Sequence, residues 1–203
     1  MAVSVYSELE TAVANRMNRS DLGSTVDEGI AACVGRLNRT LRHPQMVTVN
    51  TSFACSARLT NLPTGFLGLE SAPILKYQGK RYELKFLSAP AATLVDDGTS
   101  AYQPRYYTIR GQQIELLPAP SSAVLELSYY AALSQFSSAN ATDWLLTAYP
   151  DVYLYGSCFH TAILMMDQER AGYYKPLFEE AVQEAGLAGK SSRYGPAMTM
   201  KLG

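Results

Sequence analysis

The sequence predicts an α+β fold: an antiparallel helical bundle formed by N- and C-terminal helix pairs, with an inserted antiparallel β region and an extended C-terminal tail. Three observations carry this expectation. Near both ends of the 203-residue chain apolar residues recur at steps of three and four, the period of one helix face. Between them the period falls to two, with β-branched and aromatic residues frequent. Beyond Ala185, glycine, serine and proline interrupt both patterns. The expected division is 1–45 for the first helices, 46–133 for the β region, 134–187 for the last helices and 188–203 for the tail.

In chain order, Val5, Leu9, Ala12, Val13 and Arg16 fall at helical spacing, and the polar run from Asn18 to Asp21 ends this first helix. Ser24 with Asp27 three residues on resembles a capping box, opening a longer helix striped by Val26, Ile30, Cys33, Leu37 and Leu41. Arg36, Arg39 and Arg42 lie toward its C-terminal end, where cations oppose the helix dipole; solvated or dipole-matched side chains are the simpler reading than a binding patch. Pro44 stops the helix. From Met46 to Thr51, and again from Phe53 to Leu59, residues alternate as in a strand. Leu62 to Leu67 reads as a turn or a single helical turn. Gln78-Gly79-Lys80 signals a hairpin between Pro73–Tyr77 and Arg81–Phe86. Residues 88–103 form a polar connector, and Gly111 separates Tyr106–Arg110 from Gln112–Leu117. Ala123–Ala131 completes a set of about six strands.

Asp143 to Ala185 is the most regular stretch. Val152, Tyr155, Phe159, Ala162 and Met166 make one stripe, which Leu154, Cys158 and Met165 widen. Pro150 suits a first helical turn, and Gly156 allows another backbone to approach closely. Trp144, beside the capping residue Asp143, reads as a core anchor. A second helix, capped by Asp167, presents Ala171, Tyr174, Phe178, Ala181 and Ala185, with a kink expected at Pro176. The expected bundle core is therefore Trp144, Val152, Leu154, Tyr155, Phe159 and Phe178. Past it, Gly186 and Gly189 argue against a stable helix. Tyr194, Met198, Met200 and Leu202 nevertheless supply apolar surface, with Lys190, Arg193 and Lys201 as the only charges. Extended, this tail would reach roughly 50 Å.

A net charge of −1 predicts no bulk affinity for nucleic acid or anionic membrane. No run reaches the eighteen or so apolar residues of a membrane span, and the N-terminus lacks the pattern of a signal peptide. Cys33, Cys55 and Cys158 read as free thiols of a reducing cytoplasm. Fourteen tyrosines hint at interfaces. The chain's two histidines, His43 and His160, read as structural: His43 as a cap or water-facing residue, His160 out of register with Cys158 on one helix. No phosphate loop, dinucleotide fingerprint, serine elbow or zinc spacing occurs, so neither enzyme chemistry nor a cofactor is expected.

The succession of motifs says more than any one of them. Leu62-Pro63-Thr64-Gly65-Phe66-Leu67-Gly68-Leu69-Glu70, Arg81-Tyr82-Glu83-Leu84, Ile114 to Pro120, Leu125 to Tyr130, Asp143-Trp144-Leu145-Leu146 and Tyr149 to Gly156 together resemble the head-to-tail adaptor (connector) proteins of tailed bacteriophages. The likeness covers residues 10 to 187. It implies a virion protein forming a ring of about twelve copies between the portal protein and downstream tail or nozzle proteins. DNA would pass through without specific binding, and no membrane would be involved. Carried onto this chain, it implies a portal-binding tail comprising Lys190, Arg193, Tyr194, Met198, Met200, Lys201 and Leu202. The competing expectation is a carbohydrate- or receptor-binding module that uses Tyr102, Tyr106 and Tyr107 as stacking surfaces.

Overall fold

The computed structural model describes residues 3–19, 21–95 and 103–193. It is α+β, with six helices and nine strands among those residues. The chain divides into two compact units, Met1–Gln45 with Leu133–Gly203, and Met46–Ala132.

The first unit is helical. Helix α1 (Tyr6–Arg16) begins where the Glu8 carboxylate accepts hydrogen bonds from the Ser4 and Val5 N–H groups, at 2.8 and 3.3 Å, so the first turn's acid satisfies donors left open at the helix start. α2 (Gly23–Thr40) starts at Gly23 without a side-chain cap, so the expected Ser24–Asp27 box does not form. Asp27 instead accepts the Tyr6 hydroxyl at 2.9 Å and ties α2 to α1. Val26, Ile30, Cys33 and Leu37 are buried as their spacing requires. The returning chain is fixed by Asn38, whose amide donates to Leu133 O at 3.0 Å and accepts from Leu133 N at 2.7 Å.

Separate helices start at Trp144 and at Pro150, the two places where the sequence offers a helix start. α3 (Ala89–Val95) belongs to the other unit; α4 is Trp144–Ala148, and α5 is Pro150–Leu164. Asp143 accepts from Leu146 N at 2.7 Å to cap α4, and Pro150 opens α5. α6 (Gln168–Arg193) follows, with Asp167 accepting from Arg170 N at 3.0 Å. α5 packs against α1, α2, α4 and α6. The helix runs on through Pro176, whose off-face position leaves Tyr174, Phe178, Ala181 and Ala185 buried. It also runs through Gly186 and Gly189, which corrects the expected tail for residues 188–193. Gly189 is buried against His43 and Pro44, where a Cβ would collide with both, so packing outweighs glycine's poor helix propensity.

The second unit holds two sheets. In the first, β9 (Ala123–Ala131) is central: β1 (Val47–Cys55) pairs along one edge, while β3 (Phe66–Leu69) and β4 (Ile74–Tyr77) share the other. β5 (Lys80–Glu83) pairs with β4 through a two-residue turn at Gln78 and Gly79, φ +48° and +75°, as the sequence signals. The register between β1 and β9 shifts between Asn50 and Phe53, so the first alternating run and the start of the second form one bulged strand, while Leu59 at the end of the second run belongs to the other sheet. In the second sheet β2 (Leu59–Asn61), β8 (Gln113–Leu117), β7 (Tyr106–Arg110) and β6 (Lys85–Phe86) follow in that order. β6 runs parallel to β7, an exception to the antiparallel expectation. Strand β3 replaces part of the expected turn, and α3 replaces part of the expected connector. Leu75, Leu125 and Leu127 of the first sheet share a core with Tyr107, Ile114 and Leu116 of the second.

Candidate assembly surfaces

Each expected core residue of the helical unit has a definite place. Val152, Leu154, Phe159 and Phe178 are buried; Trp144 and Tyr155 are half-buried. Trp144 stacks on His43 at 4.6 Å between centroids, and Tyr149 meets the same imidazole edge-on. His43 is therefore a buried packing residue rather than a water-facing cap, its Nδ1 accepting from Gln45 N at 3.1 Å. Tyr155 lies between the Arg16 guanidinium and Tyr174. Sequence reasoning missed Tyr153, which is fully buried and donates its hydroxyl to Asp143 at 2.6 Å; burial and that carboxylate push its pKa up. Tyr153 lies off the stripe's period, so only its place three residues after Pro150 could have flagged it.

Two close contacts set the crossing of α2 over α5. Gly29 lies under Thr161, and Gly156 lies under Cys33 and the Phe178 ring. Both thiols here, Cys33 and Cys158, are buried and their pKa values are pushed up to about 12 by loss of solvent, which leaves them protonated and unreactive at neutral pH. Arg36 spans α2 and α6: its guanidinium lies over Phe159 and Phe178 at 5.5 and 5.3 Å and pairs with Glu179 at 3.2 Å.

Beyond Arg36 the facing sides of α2 and α6 open into a groove of about 420 Å³ lined by Thr40, Leu41, Arg42, Val182, Gly186, Leu187 and Lys190, among others. A smaller opening of about 200 Å³ adjoins it through Thr40, Val182 and Gln183. Of the tail residues implied by resemblance, Lys190 is exposed on α6 at this groove and Arg193 is the helix's last residue. Tyr194, Met198, Met200, Lys201 and Leu202 lie outside the described residues. Met166, expected on the buried stripe, lies past the end of α5 and is 89% exposed.

In the β unit Tyr106 and Tyr107 point to opposite faces of β7, Tyr107 into the core at 8% exposure. Tyr102 lies outside the described residues. Tyr106 instead shares an open pocket of about 350 Å³ with Tyr82, Glu83, Lys85 and Arg105. Among the described residues no group of His, Cys, Asp or Glu side chains could hold a metal ion. Nor is any helix there long and apolar enough to cross a membrane.

The sequence matches the family model described as SU10 adaptor protein over residues 5–200, a span that includes both units. The chain belongs to the SU10 adaptor protein family. No curated protein matched it. Membership makes this adaptor a structural protein of a phage virion and implies that it works with portal and tail components. What the chain offers for such work is surface: a packed helical unit with an apolar groove, and a β unit whose first sheet ends in strands β1 and β5.

Proposed function

We propose that this adaptor joins the portal vertex of the capsid to the tail as a ring of about twelve copies, continuing the DNA channel without binding DNA specifically. The observation that carries the reading is the family match across residues 5–200, because it takes in the helical and the β unit together. In this reading the helices of 1–45 and 134–187 form the ring wall as an antiparallel bundle, and the β region of 46–133 faces neighbours or the tail. Residues from Lys190 onward reach the portal. The low net charge suits it, since subunits of high charge would repel one another around a ring. Many weak attachments acting together give a stable joint even when one copy binds feebly.

The test is size-exclusion chromatography with mass measurement of the purified protein, alone and with purified portal, followed by electron cryomicroscopy of the complex. A ring seated on portal is expected. A monomer indifferent to portal would end the reading. Because residues up to Arg193 are helical, the informative truncation removes 194–203 and leaves α6 whole. It should keep the thermal transition and lose portal attachment. Attachment unchanged by the truncation would take those residues out of the joint.

A further inference from the structure

Two exposed apolar surfaces of the helical unit lie toward opposite ends of α6. The first is the corner between α5 and α6. Met166 adopts φ +59°, the left-handed conformation usually left to glycine at the end of a helix. The Asp167 N–H donates back to Ala162 O at 2.9 Å and closes the turn. Glycine or asparagine would make this turn with less strain, and methionine gains no burial here to offset it, being 89% exposed. Ile163 and Leu164 beside it are each about half exposed, at 48% and 45%. Asp167 and Glu169 follow at once, Asp167 paired with Arg170 at 3.5 Å and Glu169 next to that arginine in the chain.

The second surface is the groove near the other end of α6, roughly 28 Å away along the helix at about 1.5 Å per residue. Leu41 and Val182 line it, and Leu187 stands beside them 65% exposed. Arg42 and Lys190 form its rim. The nearby acid Glu179 is already engaged by Arg36. Dipole matching accounts for Arg42, which donates to Asn38 O, but it accounts neither for Lys190 on the other helix nor for the exposed Leu187.

We propose that Met166, with Ile163 and Leu164, docks into the Leu41–Val182–Leu187 groove of a second copy of this chain. Both surfaces are apolar, and their borders are opposite in net charge: Asp167 and Glu169 against the single cation Arg170 at the corner, Arg42 and Lys190 at the groove. Residues 194–203 fit the groove less well, because their one charged side chain, Lys201, has the sign of the rim. Contact between different faces leaves a free corner on one outer copy and a free groove on the other. Such a contact propagates, closing into a ring if the rotation permits. It rests on the ring reading in one respect, that the partner is a further copy.

Met166→Gly removes the projecting side chain and also relieves the turn. Its thermal stability should hold or rise while self-association of the full chain, measured by mass photometry with and without portal, weakens about tenfold or more. Leu187→Glu should weaken association similarly. Glu169→Lys should weaken it, and adding Lys190→Glu to the same chain should restore it. Association unchanged in both Met166→Gly and Leu187→Glu would overturn this interface and leave the ring reading intact. A wild-type chain that never self-associates, even with portal, would overturn both. If Leu187→Glu instead loses portal or nucleic-acid binding with self-association unchanged, the groove has another occupant and the proposal fails.

Discussion

In the helical unit the closest contacts depend on atoms that are missing, whereas in the β unit the most demanding feature is a charge. Gly29 beneath Thr161, Gly156 beneath Cys33 and Phe178, and Gly189 beneath His43 let α2, α5 and α6 approach to distances that a methyl group would block. In the β unit Glu115 is 1% exposed on β8 and lies between two guanidinium groups, Arg58 Nε at 2.6 Å and Arg110 Nε at 2.5 Å. Arg110 also donates to Ala89 O and Thr93 Oγ1 on α3, and the Arg58 carbonyl accepts from Leu116 N. One carboxylate thus organises a loop, two strands and a short helix. Added volume is therefore expected to cost most in the helical unit, and a lost charge partner most in the β unit.

The sharpest way to break the comparison is to strip the carboxylate of both partners. Arg58→Ala with Arg110→Ala leaves a buried, unpaired charge, and urea melts should show a loss of about 3 kcal/mol, at the low end for buried pairs because both arginines are partly in water. Adding Glu115→Leu should recover part of it. A loss under about 1 kcal/mol would mean that water reaches the carboxylate and that the β unit has no such dependence. Hydrogen exchange would locate the loss within 46–132.

The matching test in the helical unit adds one methyl. Gly156→Ala gains about 1 kcal/mol of helix propensity but forces Cys33 or Phe178 aside, so a net loss of about 1–2 kcal/mol is expected. Gly172→Ala on α6 is the control. Nothing lies within 4 Å of its added carbon, so it should stabilise by up to about 1 kcal/mol. Equal effects at the two glycines, read from the same melts, would remove close approach as the reason for Gly156.

The contrast between the units also explains what the sequence made legible. Helical stripes such as Val26-Ile30-Cys33-Leu37 and Tyr174-Phe178-Ala181-Ala185 are local, repeated signals, and their burial follows from spacing. The hairpins at Gly79 and Gly111 were equally readable, since positive φ there calls for glycine. Features set by distant partners were not. Phe66–Leu69 is a strand only because β9 offers an edge to it, and Pro63 and Gly65 beside it read as turn residues. Ala89–Val95 is too short to show a period. Met166 continues the step of four from Ala162, but α5 ends at Leu164, and no glycine or asparagine marked the stop. Nothing in the spacing of Arg58, Arg110 and Glu115 announced that the fold would bring them together.

The smallest expected effect extends the comparison to charge within the helical unit. His160 is half-buried on α5, packed on Phe159 and near Phe178, and its Nε2 makes no hydrogen bond among the described residues. Burial, and then the nearby Arg36 and Arg39, hold its pKa below the ordinary value of 6.5. As pH falls through 6.5 the unfolded chain takes up a proton that the folded chain resists, so stability declines until the folded-state pKa is passed and then levels off. His160→Gln lacks this term. Its melting temperature should therefore gain on the wild type between pH 7 and pH 5, by a small margin because the ring is partly in water, while groups common to both chains cancel in the comparison. Parallel curves would show that the helical unit is indifferent to this proton. A wild type that gained on the variant in acid would mean that His160 has an acidic partner in the folded protein.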